Sequence, residues 1–508
     1  MMEFIDNYLN RTTMYRLVLH YLAFLWVCAF VLSIFGLLPY APGALILSTA
    51  FIIAVSWMTN TIFSLIYKTP TNLESVYITA LILILIITPP GPTSGLSYLA
   101  YLAFVSVWAM AGKFILSIGK KHIFNPAALA VALAALLVGQ SASWWIGSAY
   151  LFLPVLLGGL LIVRKLRRKD LVISFLFVAF LSIFISGLLK GTAAIDILQK
   201  ALFHSPLLFF AFIMLTEPLT TPPTKMGRIF YGALTGFIFA PNFHIGSFFF
   251  TPELALLTGN IFSYLISPKE KLLLTLKKII PVGFDMYDFV FVPDQNIRFR
   301  PGQYLEWTLS HEDPDNRGNR RYFTIASSPT EEDLRMGVKF YPESSSFKRA
   351  LGNMKTGDSI IASQLSGEFV LPSDKNKKLV FIAGGIGITP FRSMIKYLLD
   401  HEESRDIVLF YSNKKLNEVA YKDIFDEGQK RLGIKTVYCL TDKNQKPALW
   451  CRLGRIDADL IRMEVPDYED RLFYISGPHA MVDAFSETLT QMGVRKSNII
   501  VDFFPGFV

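Results

Sequence analysis

Long apolar runs fill the first half of the sequence, and short ones fill the second. Residues 1–267 contain runs close to the ~20 residues that span the hydrocarbon core of a bilayer. After residue 268 the runs shorten to strand length and alternate with turn residues. The long runs predict ten membrane helices, at about 17–38, 44–67, 74–89, 96–118, 123–140, 144–163, 171–188, 201–215, 229–248 and 253–266.

The second half divides into three predicted segments. Residues 268–278 form a basic linker, and residues 279–375 are predicted to be successive strands, which favours a small antiparallel barrel. Residues 376–508 alternate strands with helices, the pattern of a parallel sheet with helices on both faces. The predicted fold class is therefore a polytopic α-helical membrane domain of about ten helices, fused to an antiparallel β-barrel and an α/β parallel-sheet domain.

Composition and charge narrow the class of protein. Of 508 residues, 52% are hydrophobic, which excludes a wholly soluble or a disordered chain. Residues 1–267 hold 15 Lys and Arg against 7 Asp and Glu, and the remaining residues hold 34 against 33. A basic excess confined to loops between apolar runs follows the positive-inside rule, so no nucleic-acid partner is predicted. The three cysteines form no CxxC or CxH spacing, so we predict no metal site and no thiolate iron–sulfur cluster.

The loop charges also predict the topology. An N-terminus on the inner side assigns twelve basic residues to inner loops and leaves Lys190 and Lys200 outside. An even number of helices then leaves residues 268 onward on the inner side. We therefore predict an integral protein of the inner (plasma) membrane, with a cytoplasmic N-terminus and a cytoplasmic C-terminal half.

Two polar stretches interrupt the apolar first half. Asn125 and Pro126, in IFNPAALA, begin a short apolar run, as at a discontinuous helix that lines a site or at the first turn of an ordinary helix. Glu217 begins EPLTTPPTKMGR at the predicted membrane edge. It is either a satisfied cap or a group that couples to a proton or a cation.

These stretches carry a resemblance that covers roughly residues 10–267. IFNPAALA and TEPLTTPPTKMGRIFYGALTG resemble the ten-helix membrane proteins of two related complexes, NqrB of the sodium-translocating NADH:quinone reductase and RnfD of the Rnf complex. In that family FMN is esterified to a threonine in a long outer loop between helices five and six. Here the connection is only VGQSAS, residues 138–143, so covalent FMN is not expected, and Thr192 in another outer loop is the substitute candidate. A second, noncovalent flavin between the helices stays open.

The clearest chemical signal in the second half is a glycine-rich turn after the apolar strand LVFIA. Such a turn lets backbone N–H groups approach a pyrophosphate, with a helix start behind them. A second turn ends the later strand FYIS, and strand ends of a parallel sheet converge at one edge. The first turn contains Gly384, Gly385, Gly387, Thr389 and Pro390, and the second contains Ser476, Gly477, Pro478 and Met481.

Two further motifs precede these turns. Arg321 and Thr324 lie three apart on a predicted strand, so the cation and the hydroxyl can reach the phosphate and the ring of a flavin while Phe323 stacks. Ser345 and Ser346 belong to a serine cluster that begins a predicted helix, where backbone N–H groups can hold a phosphate.

Together the four motifs resemble the ferredoxin–NADP reductase superfamily, over about residues 275–508. The resemblance implies an FAD-binding barrel at 279–375 and an NAD(P)-binding domain at 376–508, with FAD and NADH or NADPH as cofactors. Phe323 replaces the usual Tyr of the FAD motif, which keeps the ring and loses a hydroxyl. The residues implied to bind cofactors are Arg321, Phe323, Thr324, Ser345, Ser346, Gly384, Gly385, Gly387, Thr389, Pro390, Gly477, Pro478 and Met481.

The resemblance also suggests catalytic positions and a nucleotide preference. Ser476 replaces the cysteine that faces the nicotinamide in the family, so its implied role is positioning. Phe507 or Phe503 would cover the isoalloxazine. Lys414 or Lys415 could pair with a 2′-phosphate, but solvated lysines are common in loops, and NADH is favoured.

Three functions remain open from the sequence. The first is a membrane flavoprotein oxidoreductase that takes hydride from NAD(P)H onto FAD and passes electrons to quinone, a bound flavin or a partner redox subunit. The second is a redox-driven unit for ion translocation or transport. The third is a membrane-anchored reductase for soluble acceptors.

Overall fold

A computed structural model describes residues 9, 12–67, 73–91, 94–118, 121–166, 168–240, 243–246, 248–267, 271–312, 315, 318–442, 444 and 448–502. The chain divides into two compact units, Met1–Glu270 and Lys271–Val508, called unit 1 and unit 2 below. The boundary predicted inside unit 2, between residues 375 and 376, stays a prediction.

Unit 1 consists mainly of helices. In its described part these are α1 Met14–Ile34, α2 Pro42–Tyr67, α3 Leu73–Ile86, α4 Leu96–Ile115, α5 Pro126–Leu137, α6 Phe152–Leu166, α7 Lys169–Leu189, α8 Ala194–Phe203, α9 Leu207–Phe209, α10 Lys225–Phe239 and α11 Pro252–Ile266. A 3₁₀ turn, Ala149–Leu151, precedes α6, and a π-helical segment, Phe210–Met214, continues α9. Two short hairpins pair β1 Ser117–Ile118 with β2 Lys121–His122 and β3 His244–Ile245 with β4 Phe248–Phe249.

The predicted count of about ten membrane spans is not confirmed. Among the described residues, five helices are long and apolar enough to cross a membrane: Met14–Ile34, Pro42–Tyr67, Leu96–Ile115, Ala149–Leu166 and Lys169–Leu189. A sixth span results if α8 and the segment Leu207–Met214, which bend by 54°, count together. The other apolar helices are too short, since α3 has 14 residues, α5 has 12, and a span needs ~20.

Helix α2 shows how unit 1 meets its surroundings. Its small polar side chains are buried, among them Ser56, Thr59 and Asn60, while Leu65 and Ile66 are exposed. A helix in water exposes the opposite set, whereas a helix in lipid packs small and polar residues against its neighbours. This distribution, together with the long apolar helices, indicates an integral membrane unit.

Close packing of α7 against α10 depends on two glycines. A Cβ on Gly232 would lie 2.7 Å from the Leu171 carbonyl oxygen, and one on Gly236 would lie 2.7 Å from that of Phe175. Glycines one turn apart let two backbones approach closely. The contact holds α10 and the polar turn before it in a fixed position.

Unit 2 begins with an antiparallel sheet. Its six strands are β5 Leu272–Gly283, β6 Met286–Pro293, β7 Tyr304–Thr308, β8 Arg320–Thr324, β9 Leu334–Lys339 and β10 Ser359–Ser366, in the order β8-β7-β10-β5-β6-β9. A seven-residue helix, α12 Ser346–Gly352, packs on the sheet through Phe347 and Leu351. Strand β5 starts inside the stretch predicted as a linker, because Leu272, Leu274 and Leu276 alternate toward the core.

A parallel sheet follows. Its strands are β11 Leu379–Gly384, β12 Ile407–Asn413, β13 Lys435–Leu440, β14 Cys451–Leu453, β15 Leu472–Ser476 and β16 Ile499–Asp502, in the order β14-β13-β12-β11-β15-β16. The helices are α13 Thr389–Asp400, α14 Lys422–Leu432, α15 Ala458–Glu464 and α16 His479–Gln491. Two hydrophobic clusters cover the two faces, one with Phe391 of α13 and one with Val482 of α16. The strand order changes direction between β11 and β15, which is where ligands bind in such sheets.

Candidate functional site

The two polar stretches of unit 1 meet at one buried site. Asn125 caps α5, since its Oδ1 accepts from the Ala128 N–H at 3.0 Å, and its Nδ2 donates to Glu217 Oε2 at 2.9 Å. The backbone N–H of Asn125 donates to Asn260 Oδ1 at 2.9 Å. The sequence interpreted IFNPAALA and EPLTT separately, and the structure brings them together.

The network extends into two more elements. Asn260 Nδ2 donates to the Tyr231 hydroxyl at 2.9 Å, and the Thr220 hydroxyl donates to Glu217 Oε2 at 3.3 Å. Tyr231 and Asn260 are 0% exposed. The Glu217 carboxylate is therefore hydrogen-bonded from both sides in the interior of unit 1, so it is held by more than a helix cap.

The first glycine-rich turn of unit 2 has the shape that the sequence predicted. All six residues of β11 are buried, and the chain then makes a 3₁₀ turn, Gly385–Ile388, into α13. Gly385 has φ +51°, a conformation that glycine adopts without strain. Pro390 lies in the first turn of α13, where its missing N–H costs nothing.

The second turn packs directly on the first. Ser476 pairs with Ala383 on the neighbouring strand, and a Cβ on Gly387 would lie 2.5 Å from the Ser476 carbonyl oxygen. A Cβ on Gly384 would lie 2.2 Å from Met481 Sδ. Only glycine fits at these two positions without movement of backbone or of a buried side chain.

One cleft of about 490 Å³ joins the two sheets of unit 2. It brings together ten of the predicted site residues: Phe323, Thr324, Gly384, Gly385, Gly387, Thr389, Ser476, Gly477, Pro478 and Met481. Phe507 and Phe503, the predicted cover, lie outside the described residues.

Arg321, Ser345 and Ser346 lie in a different group of contacts. Ser345 caps α12, and Ser346 contacts His311 and Asp315. Arg321 Nη2 lies 3.3 Å from Asp315 Oδ1. The predicted phosphate ligands are thus near one another, but a carboxylate of the chain occupies them.

The cleft also contains charged residues that the sequence did not single out. Lys339 Nζ lies 3.1 Å from Glu418 Oε1, and Glu418 Oε2 accepts from the Lys414 N–H at 3.1 Å. Lys339 ends a strand and Glu418 lies in a 3₁₀ turn, so neither belongs to a glycine or serine motif. No local sequence signal could have paired two residues this far apart in the chain.

A buried ionic group joins the antiparallel sheet to the parallel one beside this cleft. Arg392 Nη2 donates to Glu331 Oε1 at 2.9 Å, and Arg392 Nη1 donates to the Ala326 carbonyl at 2.9 Å. Burial by itself would raise the pKa of Glu331, but the hydrogen bond and charge of Arg392 outweigh it and hold the pKa below its usual value. Burial raises the pKa of Asp288 against the opposing effects of Tyr421 and of two arginines.

The two halves match two different families. Residues 133–271 match the NQR2, RnfD, RnfE family, and residues 381–487 match the oxidoreductase NAD-binding domain. The resemblance predicted for each half is confirmed by these matches.

Curated relatives cover the second half alone. A flavohemoprotein of Bacillus cereus is 29% identical over 215 residues, which is 41% of this chain and 53% of the relative. A flavohemoprotein of Candida albicans is 34% identical over 136 residues, 26% of this chain and 33% of the relative. The chain therefore spans about half the length, or less, of these relatives.

Solved structures give weaker similarity. The flavohemoglobin from Malassezia yamatoensis with bound FAD and heme has a TM-score of 0.44 at 20% identity, covering 70% of this chain and 98% of that one. The cytochrome b5 reductase domain of Ulva prolifera nitrate reductase has a TM-score of 0.41 at 22% identity, covering 46% of this chain and 98% of that one.

Proposed function

We propose that the chain is a membrane flavoprotein oxidoreductase that takes hydride from NAD(P)H onto FAD and passes electrons to an acceptor in the membrane. The observation that carries the proposal is the cleft of unit 2, where Phe323 and Thr324 of one sheet lie with both turns of the other. The NAD-binding match, the flavohemoprotein relatives and the NQR2, RnfD, RnfE match support it.

The residues of the cleft fit a dinucleotide. Gly384 and Gly387 leave the space that any Cβ would fill, so a pyrophosphate can approach the backbone. Phe323 offers a ring and Thr324 a hydroxyl on the side of the antiparallel sheet. Ser476 and Pro478 on the opposite side would orient the nicotinamide. When bound, FAD supplies the ability to accept two electrons together and to release them singly.

The proposal extends to topology and to the acceptor. A cytoplasmic unit 2 fits the excess of basic residues in the predicted inner loops of unit 1. Quinone, a partner redox subunit and a second noncovalent flavin in unit 1 are the candidate acceptors. The domain assignment, FAD to residues 279–375 and NAD(P) to residues 376–508, belongs to the same proposal.

The number and type of flavins per chain tests it. The full-length protein, purified in detergent, should release one FAD per chain on acid denaturation, and NADH should bleach that flavin without air. NADH oxidation should be faster with a quinone than with a soluble dye. A protein that holds no FAD, or whose flavin NADH does not reduce, would contradict the proposal. A flavin retained after denaturation would restore covalent attachment.

The buried Glu217 network favours a second candidate, coupling of electron transfer to movement of an ion. Glu217 is held between Asn125 and Thr220, inside unit 1. In Glu217→Gln, coupling predicts loss of ion translocation into proteoliposomes while NADH oxidation by a soluble dye continues. Glu74→Gln, in a half-exposed pair with Arg16, is the matched control and should leave both unchanged. Equal translocation in wild type and Glu217→Gln would contradict coupling through this residue.

A further inference from the structure

Asp315 makes the contacts that the sequence assigned to a flavin pyrophosphate. Its Oδ2 accepts from the Ser346 N–H at 3.1 Å, and its Oδ1 lies 3.3 Å from Arg321 Nη2. Its own N–H donates to Ser346 Oγ at 2.9 Å. One carboxylate therefore bridges the cation and the serine, as a phosphate group would.

The remaining donors of Arg321 and Ser346 also point to acceptors within the chain. Arg321 Nη1 donates to the carbonyls of Gly318 at 3.0 Å and Arg320 at 2.7 Å. His311 Nδ1 lies 2.9 Å from the Leu309 carbonyl oxygen, so it carries the proton and donates. Nε2 of His311 is then an acceptor, and Ser346 Oγ donates to it at 3.0 Å. The segment around Asp315 thus satisfies the groups that would hold the cofactor.

A carboxylate and a phosphate oxygen compete for the same guanidinium and N–H donors. We propose that Asp315 is an internal competitor of the dinucleotide pyrophosphate and lowers the affinity of unit 2 for FAD. This inference rests on the proposed function. Because FAD can bind through Arg321 and Ser346 only where Asp315 has moved away, the apparent affinity falls with the fraction of chains in that state.

The test is a flavin titration of the full-length protein after removal of its flavin, followed by flavin fluorescence. In Asp315→Asn, which keeps size and backbone N–H, the Kd for FAD should fall about tenfold, the effect of one charged hydrogen bond. The Kd for riboflavin, which has no phosphate, should not change. Glu312→Gln is the matched control, since it removes one exposed carboxylate from the same segment, and both Kd values should stay at the wild-type level.

Three results would overturn the inference. Weaker FAD binding in Asp315→Asn would mean that the carboxylate organises Arg321 and Ser346. An equal gain for FAD and riboflavin, or the same gain in Glu312→Gln, would mean a general charge effect. An unchanged FAD affinity in both Asp315→Asn and Asp315→Ala would exclude competition. If wild type and every variant bind no FAD, the proposed function itself fails.

Discussion

The Tyr421 hydroxyl donates a hydrogen bond to the carboxylate of Asp288, which is 0% exposed. Asp288 lies on β6 of the antiparallel sheet, and Tyr421 precedes α14 beside the parallel sheet. Tyr421 has φ +56°, an uncommon conformation for a side chain of this size. A Cβ on Gly337 of β9 would lie 2.6 Å from the same hydroxyl, so the two sheets are in close contact here.

We expect Tyr421→Phe to destabilise unit 2 by about 1–3 kcal/mol, because it leaves a buried carboxylate without its donor. Differential scanning calorimetry of the full-length protein in detergent measures the change. Tyr474→Phe is the control: its hydroxyl donates to the neutral Val370 carbonyl at 2.8 Å, so the loss should be about 0.5–1.5 kcal/mol. Equal losses in the two variants would show that the charge of Asp288 adds nothing to this hydrogen bond.

The pair between Glu331 and Arg392 predicts a pH dependence. Arg392 is 3% exposed, so Glu331→Gln leaves a buried cation without its partner and should cost about 3–5 kcal/mol at neutral pH. The pKa of Glu331 is lowered in the folded protein, so wild type gains stability from this group above the unfolded pKa. That gain disappears as the pH falls through the folded pKa.

The measurement is the difference in melting temperature between wild type and Glu331→Gln from pH 7 down to pH 3. The difference should be largest near neutrality and should shrink below the ordinary glutamate pKa of about 4.3. Asp459→Asn, whose side chain is 92% exposed beside Arg462, should cost less than about 0.5 kcal/mol. A difference that grows in acid would contradict the lowered pKa.

Periodicity and turn chemistry predicted much of unit 2. The alternation of apolar runs with turns gave the parallel sheet, and the glycines of the first turn gave the edge at which its cleft lies. The start of β5 was missed because the basic residues of 268–278 suggested a linker, although Leu272, Leu274 and Leu276 alternate as in a strand. In unit 1, hydropathy located the apolar runs but not the helix lengths, since Asn125 and its proline start α5 late.

Contacts between distant segments could not be predicted. No spacing indicates that Asn125 reaches Glu217, that Asp288 accepts from Tyr421, or that Asp315 lies on Arg321. Each depends on how separate elements pack. Motifs therefore named the residue types of the site, and the fold determined which of them meet.

We expect Gly387→Ala to impair nucleotide binding. Its new Cβ would lie 2.5 Å from the Ser476 carbonyl oxygen and 2.7 Å from the Gly477 Cα, both backbone atoms that cannot move cheaply. Separation of the two turns should raise the KM for NADH at least about tenfold and cost about 1–3 kcal/mol of stability. The control is Gly283→Ala, whose nearest new contact is 3.5 Å, an ordinary distance. An unchanged KM in Gly387→Ala would exclude the two turns as the nucleotide site.

Glu418 predicts a preference for NADH over NADPH. Its carboxylate is 8% exposed, lines the cleft near the end of β12, and engages Lys339 and the Lys414 N–H. A 2′-phosphate placed there would meet this negative charge and would have to compete with it for Lys339. Since like charges at about 4 Å cost roughly 1–4 kcal/mol, Glu418→Gln should raise the NADPH-to-NADH ratio of kcat/KM by about tenfold. Glu427→Gln removes an equal charge from an exposed pair with Arg431 and should leave the ratio unchanged. A wild-type protein that already prefers NADPH, or a ratio that Glu418→Gln does not alter, would contradict this role, and Lys414 would then be the residue to test for binding of the 2′-phosphate.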